Sequence, residues 1–132
     1  MKNVLKGYIF SRSFMGERVP QHIQNIVIRN YCQNLNHQFL LSATEYAMPG
    51  CHMILKQTVQ ESDNFDGIIA YSLFQFPEVK FDRLSIAVEM FKKKKELHFA
   101  VENIVVTNIN DYEDIDLMWQ IKQTINQNNN LE

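Results

Sequence analysis

At 132 residues and a formal net charge of −2, the chain is long enough for one domain with a packed core, and its charge offers no bulk attraction to nucleic acid. No apolar run approaches the ~20 residues that a membrane-spanning helix needs. The start, MKNVLKGYIF, lacks the long apolar stretch and small-residue cleavage site of a secretory signal, so a cytoplasmic location is expected. Cys32 and Cys51 then read as free thiols, the first inside an apolar helix pattern and the second just after a Pro-Gly turn.

Val4–Phe10 is a mostly apolar run with aromatic and β-branched residues and reads as a buried strand. A polar loop follows, and Pro20 suits the first turn of a helix. Ile23, Ile26, Val27, Tyr31 and Leu35 share one face of that helix. A second strand is expected over 38–44, then the Pro49-Gly50 turn, then a helix over 53–61 with Ile54, Leu55 and Val59 inward. A third strand is expected over 67–74, apolar on both faces as parallel strands are.

Asp82 is placed to cap a third helix in which Leu84, Ala87, Val88 and Phe91 align. Lys92 to Lys95 close it, where cations suit the negative end of the helix dipole; a solvated helix end is favoured over a nucleic-acid patch. A fourth strand is expected over 97–101, with 104–107 either a short continuation of it or an edge strand. Asn110 and Glu113 have capping-box spacing at a last, acidic helix whose apolar face is Ile115, Met118, Ile121 and Ile125. Trp119 lies beside that face, and its expected exposure suggests a homodimer or larger homo-oligomer. Strands alternating with helices imply βαβ crossovers. The expected fold is a single three-layer α/β domain over residues 1–130, with a mostly parallel four- to five-stranded sheet flanked by helices. Leu131 and Glu132 are read as a vector remnant.

The order of motifs resembles the catalytic domain of resolvase-type serine recombinases. That family's first strand has the form G-Y-x-R-x-S; here Gly7-Tyr8 match and Ile9-Phe10-Ser11-Arg12-Ser13 follow. Its helix carries a Gln leading to L-R-x-Y-C, and here Gln24 leads to Ile28-Arg29-Asn30-Tyr31-Cys32. Asp66-Gly67-Ile68-Ile69 and Glu102 match the entry of its third strand and the end of its fourth. The resemblance implies a resolvase-like fold. The family's chemistry needs arginines after the third strand to hold the phosphodiester. Leu73-Phe74-Gln75-Phe76-Pro77 stands there with no cation, and no helix-turn-helix follows within the 132 residues, so DNA strand exchange is not expected.

A closer resemblance is to the sporadic carbohydrate cluster proteins, encoded beside genes for bacterial surface polysaccharides such as O-antigen. It rests on GYIFSRSFMGERVPQHIQN, LLSATEYAMPG, DGIIAYSLFQFP and LHFAVEN. It implies a pathway and leaves the reaction open.

Each of those blocks ends where a strand meets its loop. In a parallel sheet such ends share one edge, where ligands bind. Arg12 and Arg18 suit a phosphate or carboxylate, with Ser13, Glu17, Thr44 and Ser72 beside them. Tyr46 and Tyr71 suit stacking on a sugar or base. Glu45, His22, Ser11 and Glu102 are the candidates for acid, base or nucleophile. The combination fits an enzyme acting on a phosphorylated or nucleotide-linked sugar; the alternative is a non-catalytic oligomeric module of the same pathway. The cysteines and histidines lack zinc-site spacing, so no metal is expected. No Gly-rich phosphate loop occurs, so no dinucleotide cofactor is expected, nor a nucleic-acid or membrane partner.

Overall fold

The computed structural model describes residues 3–130, with side chains as far as residue 126. Leu131 and Glu132 lie outside the described residues. Five strands, β1 (Val4–Phe10), β2 (Gln38–Glu45), β3 (Gly67–Ala70), β4 (Glu96–Phe99) and β5 (Ile104–Val106), form one sheet in the order β2-β1-β3-β4-β5. The first four are mutually parallel, and β5 returns antiparallel to β4. Four helices connect or follow them: α1 (Gln21–Asn34), α2 (Met53–Gln60), α3 (Lys80–Lys92) and α4 (Ile109–Asn130). This is the expected resolvase-like, mostly parallel three-layer α/β architecture.

The two faces of β1 divide the core, because successive side chains of a strand point opposite ways. Tyr8 and Phe10 join Leu55 and Val59 of α2, Ile86 and Met90 of α3, and Ile115 and Trp119 of α4. Leu5 and Ile9 join Ile28, Tyr31 and Cys32 of α1 on the other face. β3 is buried throughout, as its continuous apolar sequence requires. Gly7 permits the close approach of β2: any side chain there would collide with Ser42 and Phe39. An extra β2 residue bulges between the Lys6–Leu40 and Tyr8–Ala43 pairs.

Several element expectations need correction. The third strand ends at Ala70, not Phe74, because Ser72 and Gln75 form a capping box on a short 3-10 turn, Leu73–Gln75. The fourth strand is Glu96–Phe99 and gives way to a turn around Asn103, which has a left-handed φ of 56°. Asp82 is not the cap of α3; Val79 holds that position and Asp82 lies in the first turn. At α4 the capping acceptor is Asn108, not Asn110: its Oδ1 accepts from the Asp111 amide at 2.9 Å.

Three helix faces are also rotated. α1 turns Gln24, Ile28, Tyr31 and Cys32 inward and leaves Ile26 exposed. α3 buries Arg83, Ile86, Ala87 and Met90, with Val88 outside. α4 buries Tyr112, Ile115 and Trp119, whereas Ile121 and Ile125 are exposed. Trp119 is therefore not the expected surface residue. Its indole N–H donates to the Leu73 carbonyl at 3.1 Å, and its ring lies 5.1 Å from that of Phe74.

On the α1 face, His98 is buried between Glu96 and Tyr31. Its Nε2 lies 3.0 Å from the Glu96 carboxylate, and its Nδ1 lies 2.8 Å from the Tyr31 hydroxyl. A carboxylate only accepts, so Nε2 carries the hydrogen and Nδ1 accepts from Tyr31. Burial lowers the His98 pKa, with His37 nearby adding to the effect and Glu96 opposing it. A lowered folded pKa means that the unfolded chain takes up protons first as pH falls. This contribution to stability is thus complete above the ordinary imidazole range and shrinks as pH falls through it. Urea unfolding at about pH 7.5 and about pH 5.5 tests this: His98→Gln is expected to lose less stability over the interval than the wild type.

Candidate functional site

The parallel strands end together at Phe10, Glu45, Ala70 and Phe99, so their loops share one edge. A cavity of about 610 Å3 opens there. Its polar lining is Arg12 and Ser13 from the first loop, His52 before α2, Glu78 from the loop before α3, and Asp82 in that helix's first turn. Phe10, Phe14, Phe74 and Phe76 supply aromatic surface, and Met15, Pro49, Gly50, Pro77 and Val79 complete the walls.

The loop after β1 folds back on itself. Phe14 and Glu17 exchange two backbone hydrogen bonds of 2.9 Å. Between them Met15 and Gly16 take φ values of 50° and 77°, the signature of a two-residue type I′ turn. Gly16 suits that geometry; Met15 is strained by it, yet it is half-buried and lines the cavity. Arg12 crosses to the second loop. Its Nη1 donates to the Tyr46 carbonyl at 2.7 Å, and its guanidinium lies 4.1 Å over the Phe10 ring. Ser11 donates to the Glu45 carbonyl at 2.6 Å, so the two loops are joined twice.

Two expected catalytic carboxylates are occupied in holding backbone. Glu45 is almost wholly buried. Its Oε1 accepts from the Tyr8 hydroxyl at 2.9 Å and the Leu55 amide at 3.1 Å; its Oε2 accepts from the Ile54 amide at 3.0 Å and the Tyr46 amide at 3.2 Å. The residue at the N-cap position of α2, His52, makes no side-chain capping bond, so Glu45 supplies the anionic acceptor for the positive end of that helix. Burial first, then the Glu45 charge, drives the Tyr8 phenol pKa far up. Glu102 accepts from the Ser72 hydroxyl at 2.8 Å and the Leu73 amide at 2.9 Å. Ser72 in turn accepts from the Phe74 amide at 3.2 Å.

Gln24 is the buried splint behind the cavity, and the sequence reading gave it no place at the site. Its Oε1 accepts from the Phe10 amide at 3.0 Å and from Gln75 Nε2 at 2.8 Å. Its Nε2 donates to the carbonyls of Phe10 at 3.0 Å and Val19 at 2.8 Å. One side chain thus fixes the end of β1, the end of its loop and the 3-10 turn.

Of the expected site residues, Arg12 and Ser13 line the cavity. Ser11, Glu45, Ser72 and Glu102 stand at the same edge but do not line the cavity. Tyr71 is half-buried, its ring 6.1 Å from Phe14; burial raises its pKa, helped by Glu17 and Glu102. His22, Glu17, Arg18 and Thr44 are exposed and lie outside the cavity lining. Tyr46 belongs to a shallower groove beside α2. His52 and Asp82 complete the cavity with little signal in the sequence: Asp82 reads there as a helix cap, and the hint at His52 is its place between a Pro-Gly turn and a helix start. Among the described residues no group of three or more His, Cys, Asp or Glu is arranged to hold a metal ion.

No protein-family model matches the chain. No curated protein matches it either. Among solved structures, the N-terminal catalytic domain of TP901-1 integrase superposes with a TM-score of 0.63 at 20% identity, covering 96% of this chain and 98% of that one. A resolvase family site-specific recombinase from Streptococcus pneumoniae superposes with a TM-score of 0.63 at 11% identity, covering 96% and 93%. These likenesses establish the resolvase-like fold.

Proposed function

We propose that the protein serves a bacterial surface-polysaccharide pathway, of the O-antigen or capsule kind, as an enzyme acting on a phosphorylated or nucleotide-linked sugar. The observation that carries this reading is the composition of the strand-end cavity: one guanidinium, two carboxylates, an imidazole and several phenylalanine rings. Carboxylates accept from sugar hydroxyls, aromatic faces pack on the apolar side of a sugar ring, and a guanidinium grips phosphate by forked hydrogen bonds. The resemblance of its sequence blocks to the sporadic carbohydrate cluster proteins supports the pathway. Within this reading Glu78 and Asp82 take the acid–base role, since the oxygens of Glu45 and Glu102 serve backbone amides.

Thermal shift against a panel of sugar phosphates and nucleotide sugars tests it. At least one member is expected to stabilise the protein, and Arg12→Ala to weaken that ligand roughly tenfold or more, since a charge-assisted hydrogen bond is worth about 1.5–3 kcal/mol. Stabilisation by none of them would count against the proposal.

A second reading, a non-catalytic module of the same pathway, draws support from the engagement of Glu45 and Glu102 in structure. Binding without turnover would favour it. For DNA strand exchange the support is poor: Arg83, the first arginine after β3, is buried in an ion pair with Asp116. Self-association stays in the proposal on different grounds from Trp119. Leu117, Ile121 and Ile125 recur every four residues along α4 and are each about half exposed. A monomeric mass by light scattering at micromolar concentration would argue against it.

A further inference from the structure

His52 occupies a position in the cavity that a neutral imidazole cannot fully satisfy. Its Nε2 lies 3.2 Å from the Gln75 carbonyl and its Nδ1 lies 3.3 Å from the Gly50 carbonyl. A neutral ring has a single N–H. It can satisfy one carbonyl and must set a lone pair against the other. An imidazolium donates to both. The two carbonyls belong to different walls, Gly50 on the loop after β2 and Gln75 on the 3-10 turn after β3. Gln75 is fixed in its turn by Gln24, while Gly50 is exposed and has a left-handed φ of 76°.

The charges around the ring compete. Burial disfavours the imidazolium, and so does Arg12, whose guanidinium stacks on Phe10 while the His52 ring lies 5.9 Å from the same phenyl group. The two carbonyls and the Glu45 carboxylate favour it. Glu78 and Asp82 line the same cavity. In the free protein the balance leaves the His52 pKa below the ordinary imidazole value. An anion held by Arg12 would remove the main charge opposing protonation.

We propose that binding of an anionic group beside Arg12 is coupled to uptake of a solvent proton by His52, which then donates from both ring nitrogens and ties the Gly50 and Gln75 walls around the ligand. The inference rests on the cavity being the anion site. It makes His52 a positioning residue whose protonation is the cavity's response to occupancy. It also sets a sign: affinity rises as pH falls toward the imidazole range, because the bound state holds the extra proton.

UDP-glucose is a suitable probe, since its pyrophosphate diester does not titrate in that range. Calorimetric titrations near pH 6.5 in buffers of different ionisation enthalpy should give an apparent binding enthalpy that varies with the buffer in the sense of proton uptake. His52→Gln, which takes up no proton in this range, should abolish that variation. Side-chain NMR should show the His52 pKa rising on addition of UDP-glucose. Binding with no buffer dependence would overturn the inference and leave the anion site standing. If UDP-glucose does not bind, the opposition between Arg12 and His52 on which the inference depends is still read in the free protein. Arg12→Gln must then raise the His52 pKa, and an unchanged value overturns the inference.

Discussion

Glu45→Ala is expected to cost about 3 kcal/mol of folding stability, because it strips the acceptor from a phenol and three backbone amides at once. The Tyr8 and Leu55 donors lie where water reaches poorly, and unsatisfied buried donors carry a penalty of about 1–3 kcal/mol each. The sum is held below that total because the loop can relax and admit water at the half-buried Ile54 and exposed Tyr46 ends. Glu45→Gln should recover only part of the loss, since its amide nitrogen would turn a donor toward another donor. Thermal unfolding followed by circular dichroism checks this. A side chain kept solely for proton transfer would behave otherwise: Glu45→Gln would fold as well as the wild type and lose turnover alone.

Arg83→Ala should destabilise the protein by about 3 kcal/mol or more, the scale for breaking a buried ion pair. Arg83 is almost fully buried; its Nε lies 3.0 Å from Asp116, and its Nη1 donates to the Pro77 and Glu78 carbonyls at 3.0 Å each. The guanidinium also lies 4.8 Å over the Trp119 ring. Lysine cannot reproduce that planar set of contacts, so Arg83→Lys should recover little. The consequence reaches the cavity, because Pro77 and Glu78 are part of its wall. Hydrogen exchange under native conditions should quicken in Arg83→Lys at the backbone amides of Phe76 and position 83, whose bonds to the Leu73 and Val79 carbonyls flank the anchored Pro77 and Glu78 carbonyls. Unchanged exchange there, with stability lost elsewhere, would mean that Arg83 holds α3 to α4 without organising the cavity.

The central strand β3 was legible because its apolar run is continuous. Ile68, Ile69 and Ala70 have almost no surface left, and no alternative assignment satisfies so many adjacent apolar side chains. Helix existence was equally clear, but helix orientation was not. α1 and α3 each turn a polar residue inward, Gln24 and Arg83, and a search for apolar periodicity passes over such anchors by construction. α4 carries isoleucine or leucine on several sides, so its pattern selects no unique face and Trp119 was misplaced.

The edge that bears the cavity followed from parallel topology alone. The division of labour along that edge did not. Glu45 and Glu102 look like free acids in sequence; only the fold brings the Ile54, Leu55 and Leu73 amides to their oxygens. Arg12 was recognisable from its place after β1. His52 was not, because its significance depends on carbonyls at Gly50 and Gln75, one near and one distant in the chain.

The central claim, an anion-holding cavity at the ends of the parallel strands, is tested most directly by backbone and arginine side-chain NMR during titration with glucose 1-phosphate and UDP-glucose. The account predicts saturable shifts concentrated at Arg12, Ser13, His52 and Val79, with the Arg12 side-chain N–H among the largest. Shifts absent at saturating ligand, or confined to the exposed face of α4 or the groove beside α2 that includes Tyr46, would contradict it.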